Sequence, residues 1–217
     1  RSADPDGAVR ACVRIGRRDA DALGRAIERV GDVLWLLLGA SSGYADFYLR
    51  HPEELAHLEG AGRMLPTAPA MRQSLLDAVG ADADGFAAAS DESAWVALRV
   101  RYRRVVAHIA AYDLSADDAT EVLLEVSAAL ADAAGAALDA SLCAARTRAA
   151  AGMFPREEVA ATCLAVIGMG KTGARELNYV SDVDVIFVGG SSNEDVVSEA
   201  RAIDIGTRLA VQTMRGI

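Results

Sequence analysis

Two short apolar runs, 163–167 and 183–188, lie too close together in the chain to hold an ordinary crossover helix, and this spacing constrains the fold most. The first run reads as a buried strand, and Gly168-Met169-Gly170-Lys171 as the turn that leaves it. Val183, Val185, Ile186, Phe187 and Val188 read as a second strand rich in β-branched residues. Only residues 172–179 separate the turn from Ser181 and that strand, room for about two helical turns. A parallel βαβ unit takes a dozen or more residues, so the expected element is a hairpin carrying a short helix. The same count weakens two competing readings. Gly168-x-Gly170-x-x-Gly173 formally matches a dinucleotide fingerprint, and the segment from Ala165 to Gly170-Lys171-Thr172 approaches a P-loop, with Ala in place of its first glycine. Both need a long helix after the glycines, its N-terminus facing phosphates.

Asp182 and Asp184 sit two apart, so on an extended backbone they project from one face. Adjacent carboxylates repel unless a cation lies between them, and hard oxygen ligands of this kind suit Mg²⁺ completed by water and substrate phosphates. The glycine turn supplies backbone N–H groups that can approach a phosphate closely. Together the two features point to metal-assisted nucleotidyl transfer. A bare Asp-x-Asp pair is usually a solvated strand end; the neighbouring Gly-Lys turn is what favours metal binding here. Lys171 is a solvated turn residue unless a phosphate lies near it, where it adds a point charge.

Net charge is −9 over 217 residues, which argues against non-specific binding to nucleic acid or to an anionic membrane. The longest apolar run near the N-terminus, 33–40, is too short to span a bilayer, and no signal peptide is visible. Cys12, Cys143 and Cys163 show no metal-type spacing and an odd count, so buried, inert thiols in a reducing cytoplasm are expected. His51, His57 and His108 have no partner spacing for zinc. Hydrophobic content of 52% with 5% aromatics reflects heavy alanine use, which favours helices. An amphipathic helix is expected over 19–39, short helices over 44–50, 52–59 and 71–79, and a helix over 93–112 carrying Arg99, Arg101, Arg103 and Arg104. Those arginines read as solvated faces or partners of acidic neighbours. Ser115-Ala116-Asp117-Asp118 starts a long alanine-rich helix reaching about residue 150, with Pro155 in a linker after it. A turn is expected at 189–193 and a last helix over 195–214. The expected class is α+β and predominantly helical, with a helical region 1–150 followed by 151–217 as strand, turn, short helix, strand and helix.

Residues 168–187 resemble the signature of the glutamine synthetase adenylyltransferase/adenylyl-removing enzyme family, GMGKxGxxELNxxSDxDxIF, with Thr172 and Ala174 where Leu and Gly are more usual. Phe47-Tyr48-Leu49-Arg50-His51-Pro52-Glu53-Glu54-Leu55 is similar to the family's His-Pro-Glu segment, and 98–114 to the helical segment ahead of the catalytic strand. The family pairs two nucleotidyltransferase domains of the DNA-polymerase-β type, and Glu176-Leu177-Asn178 looks more like the copy that removes AMP. The resemblance implies that 151–217 begins such a domain. It implies Asp182 and Asp184 as catalytic metal ligands, Gly168, Gly170, Lys171 and Ser181 as nucleotide contacts, and Mg²⁺ as cofactor. Glutamine synthetase, a PII-type signalling protein, ADP or ATP and phosphate are the implied partners. Glu176 and Asn178 read as residues that brace the hairpin.

The superfamily's third carboxylate belongs to a later strand, and neither Asp195 nor Asp204 suits that role. The expectation is therefore a segment of a longer enzyme with an incomplete site. The reaction implied is phosphorolytic removal of AMP from a tyrosine of glutamine synthetase. Adenylyl transfer from ATP and a non-catalytic docking module are the alternatives.

Overall fold

The computed structural model describes residues 2–216. The chain runs through α1 (Pro5–Arg18), α2 (Ala20–Val30), α3 (Asp32–Ala40), α4 (Ser42–Arg50), a 3₁₀ helix (Pro52–Leu58) and α5 (Ala68–Val79). It continues through α6 (Glu92–Ser115), α7 (Ala119–Gly152), α8 (Arg156–Ala160), β1 (Thr162–Gly168), α9 (Gly170–Ala174), β2 (Val185–Ser191) and α10 (Glu199–Thr213). The class is α+β and mostly helical, as the periodicities indicate. Two compact units form, each discontinuous in sequence: 1–66 with 103–129, and 67–102 with 130–217. The division falls inside α6 and inside α7, and the expected junction at 150/151 lies within α7.

In the first unit, capping residues set the helix ends. Asp4 accepts a hydrogen bond from the Gly7 amide at 2.8 Å with Pro5 at the first helical turn, and Asp19 caps α2 through the Ala22 amide at 2.8 Å. The single helix expected over 19–39 is two helices. Gly31 takes φ +61°, a conformation that costs glycine nothing, and the chain turns there although the apolar spacing runs on through the break. Ile15, Leu34, Leu37, Tyr48, Leu55 and Ile109 are fully buried in this unit. Glu54 is buried beside them and accepts two hydrogen bonds from Arg104, at 2.5 Å from Nε and 2.7 Å from Nη2. The charge of a buried carboxylate is tolerable only with such a partner.

The second unit is built on α7, whose alanines give a smooth, close-packing surface. Ala136, Ala137, Ala140, Ala144 and Ala145 are buried against Trp95, Phe86, Leu98, Leu75 and Ile205. Strands β1 and β2 pair antiparallel, with Thr162 opposite Ser191, Ala165 opposite Val188 and Gly168 opposite Val185. The hairpin inferred from the short spacing is thus present. Helix α10 packs on one face of it, where a Cβ on Gly206 would lie 3.7 Å from the Cα of Gly189 and from Leu164. Gly189 and Gly190, expected in a turn at 189–193, belong to β2, because glycine in a strand lets the α10 backbone come close. The linker after α7 contains the short helix α8, and the last helix begins at Glu199 rather than near 195. Among the described residues no helix is long and apolar enough to cross a membrane.

Candidate functional site

Strand β2 begins at Val185, so Asp182 and Asp184 precede it rather than lie in it. The alternation nevertheless starts earlier than the hydrogen-bonded ladder. Asp182, Asp184, Ile186 and Val188 are exposed, while Ser181, Val183, Val185 and Phe187 are half-buried. The two carboxylates therefore share the face of the hairpin that α10 does not cover. On β1 the same face carries Cys163, Ala165 and Ile167. Cys163 is exposed, which corrects the expectation of a third buried thiol. Cys12 and Cys143 are buried, and burial pushes both thiols above their usual range.

The glycine turn is held directly against Asp184. The Met169 amide donates to the Asp184 carbonyl at 2.8 Å, extending the pairing one step beyond the strands. Gly170 takes φ +51°, and a Cβ built on it would lie 3.2 Å from Asp184 Oδ2. A side chain there would be strained and would press on the carboxylate, so the second glycine of the turn is dictated by both conformation and space. The third has a different reason. A Cβ on Gly173 would meet the Gly168 carbonyl oxygen at 2.4 Å, so only glycine lets α9 fold back onto the end of β1. Gly168, Gly170 and Asp184 are thus brought together. Lys171 is exposed on α9, and Ser181 falls in the half-buried register that alternates with the carboxylate face.

Spacing alone did not find the support beneath this turn. Arg175, the C-cap of α9, sits at φ 59°, the one described non-glycine residue with positive φ. Its guanidinium makes a forked ion pair with Asp132 of α7, Nη1 to Oδ1 at 2.6 Å and Nη2 to Oδ2 at 2.9 Å. The available signal was Asp132 itself, an acid set among alanines that bury. Leu177 is buried two residues further on. The backbone amide of Glu176 donates to the Lys171 carbonyl at 2.8 Å, which closes the turn behind α9.

Three of the α6 arginines, Arg99, Arg101 and Arg104, are engaged within their own units, as expected for solvated faces and partners of acidic neighbours. Arg99 pairs with Glu92 at 3.0 Å, Arg101 donates to the Ser74 carbonyl at 2.9 Å, and Arg104 holds Glu54. His108 lies 3.1 Å from the Met64 carbonyl. Asp204 lies on α10 and is engaged there by Arg201 at 3.8 Å and Arg208 at 3.6 Å. Among the described residues no group of three or more His, Cys, Asp or Glu side chains could hold a metal ion. The donor set on the open face is therefore two exposed carboxylates, which fits a hard cation that keeps part of its shell from water and phosphate.

Comparison with known proteins gives the class to which this chain belongs. The family model for glutamate-ammonia ligase adenylyltransferase matches residues 32–216, and the chain belongs to that family. It is 52% identical to the bifunctional glutamine synthetase adenylyltransferase/adenylyl-removing enzyme of Leifsonia xyli subsp. xyli over 221 aligned positions, covering 100% of this chain and 22% of that protein. The corresponding enzymes of Cutibacterium acnes and Streptomyces avermitilis are 37% and 40% identical, covering 98% and 99% of this chain and 21% and 20% of theirs. The chain thus spans about a fifth of the length of these relatives. No solved structure matches it.

Proposed function

We propose that this chain supplies part of the adenylyl-removing site of an enzyme that controls glutamine synthetase, acting by phosphorolysis. The observation that carries the reading is the Asp182/Asp184 pair on the uncovered hairpin face, with Gly170 packed against Asp184. Relatives whose names include both adenylyl transfer and adenylyl removal match the whole chain. In this reading 151–217 is the beginning of a nucleotidyltransferase domain of the polymerase-β type. Inorganic phosphate attacks the α-phosphorus of the tyrosine-linked AMP, the tyrosyl oxygen leaves and takes up a proton, and ADP departs.

The roles of the residues follow from charge and position. Asp182 and Asp184 would hold Mg²⁺. When bound, that ion offsets negative charge on the attacking and leaving oxygens and favours their in-line arrangement. Within 168–171 the Met169 amide is taken up by the Asp184 carbonyl, so the amides of Gly170 and Lys171 at the start of α9 are the proposed N–H donors to phosphate oxygens, and the glycines allow the close approach. Lys171 adds a positive charge beside them, and Ser181 is the proposed hydroxyl donor, reached from the half-buried side of the segment rather than from the carboxylate face. Glutamine synthetase is the proposed substrate protein. A PII-type signalling protein is the proposed regulatory partner, and the cytoplasm the proposed location.

The experiment uses an enzyme of the relatives' full length containing this chain, supplied with adenylylated glutamine synthetase, Mg²⁺ and phosphate. ADP should form in a phosphate-dependent manner and fall by at least about 10³-fold in Asp182→Asn or Asp184→Asn, on the scale of removing a metal-held charge at the reacting phosphorus. Wild-type ADP release by either variant would sink the assignment. AMP incorporation from ATP with no phosphorolysis would move it to the transferring reaction.

A further inference from the structure

We propose that Arg175 and Asp132 form a positioning latch that holds the glycine turn, and through it Asp184, in register for reaction; this rests on the function proposed above. Little else secures the turn. Helix α9 buries none of its residues, so it has no apolar face to dock it. Beside the turn lies an open cleft of about 640 Å³ lined by Arg72, Asp132, Asp139, Val166, Gly168 and Thr172. What ties the segment down is local hydrogen bonding, Leu177 on one side, and the Arg175 fork on the other.

The fork is the directional tie. Two parallel N–H···O bonds at 2.6 and 2.9 Å fix the orientation of the guanidinium as well as its distance. Asp132 is mostly buried on its own side, its side chain 19% exposed, and it projects from a 34-residue helix built of packed alanines. That makes it a rigid anchor. Arg175 holds a left-handed backbone conformation that L side chains seldom adopt, and such strain persists only where the surroundings enforce it. Its amide also closes α9 by donating to the Thr172 carbonyl at 3.2 Å. From α7 the connection then runs through Arg175 and α9 to Gly170, where an added Cβ would lie 3.2 Å from Asp184 Oδ2, and to the Met169 amide, which bonds the Asp184 carbonyl. Releasing the latch frees the turn to drift relative to the carboxylates without touching substrate.

A double-mutant cycle in the full-length enzyme tests this. Arg175→Gly removes the fork while relieving the left-handed backbone, and Asp132→Asn removes the charge from the other end. Each should lower kcat for phosphorolysis by about 10²-fold, the scale of an ångström-sized misplacement, with KM for adenylylated glutamine synthetase within about twofold. The double variant should be no worse than either single one, and Arg175→Lys should recover part of the loss. Hydrogen exchange at the Met169 amide supplies a readout that needs no activity, and it should speed up in both single variants. Additive losses in kcat, or unchanged exchange at Met169 in both, would overturn the latch. If the wild type releases no ADP, the phosphorolysis reading fails instead, and Met169 exchange alone decides the latch.

Discussion

Replacing Gly173 by alanine is the sharpest small perturbation available in this site. The added Cβ would sit 2.4 Å from the Gly168 oxygen and 3.0 Å from its carbonyl carbon, where ordinary contact starts at 3.4 Å. The clash is with backbone at the end of β1, so no side chain can swing away to relieve it. Either α9 lifts or the end of the strand bends, by about 1 Å in both cases. Overpacking of this kind costs about 1–3 kcal/mol, and alanine returns about 1 kcal/mol of helix preference, leaving a net loss of about 0–2 kcal/mol. At roughly 2–4 °C per kcal/mol for a chain of this size, melting should fall by less than about 8 °C. Geometry is the larger effect, since a 1 Å displacement of a positioned group can cost about 10²-fold in rate. Gly173→Ala should therefore leave this chain folded and melting near the wild type, and in the full-length enzyme release ADP about 10²-fold more slowly. Gly135→Ala is the control. No atom lies within 4 Å of a Cβ placed at Gly135 on α7, so that variant should gain about 0.5–1 kcal/mol and keep its rate. A Gly173→Ala enzyme within twofold of wild-type rate would refute the claim that the close approach sets the turn.

Two further outcomes follow from ion pairs. Glu54→Ala leaves Arg104 facing a buried gap and should destabilise the first unit by about 3 kcal/mol, the low end for a broken buried pair because Arg104 keeps 23% exposure. Glu54→Leu combined with Arg104→Met should recover most of that loss, and denaturant titration compares the three. The Phe86 amide, then Arg156 and the Asp84 amide, hold the Asp82 carboxyl below the usual carboxylate range. A depressed folded-state pKa stabilises above the unfolded value near 4 and ceases to do so as pH falls through the folded value. Asp82→Asn should accordingly lower stability at pH 7 and converge with the wild type in strong acid; an equal gap at both pH values would contradict this.

The hairpin, the shared face of Asp182 and Asp184, and the long helix from the Ser115–Asp118 start signal were all legible in the sequence. Each depends on local rules: how few residues can form a crossover, which way successive side chains point in an extended chain, and which residues cap a helix. Local rules also produced the errors. The apolar spacing of 19–39 continues through Gly31, so periodicity could not register a break that depends on one backbone angle. Gly189 and Gly190 resemble turn residues until α10 is seen lying against them. The division into units cutting through α6 and α7, the burial of Glu54 with Arg104, and the fork from Arg175 to Asp132 were decided only in three dimensions. Arg104 and Glu54 stand 50 residues apart in the chain, and Arg175 and Asp132 stand 43 apart. No periodicity links such pairs; packing brings them together, and for Glu54 the cost of burying its charge then requires the partner.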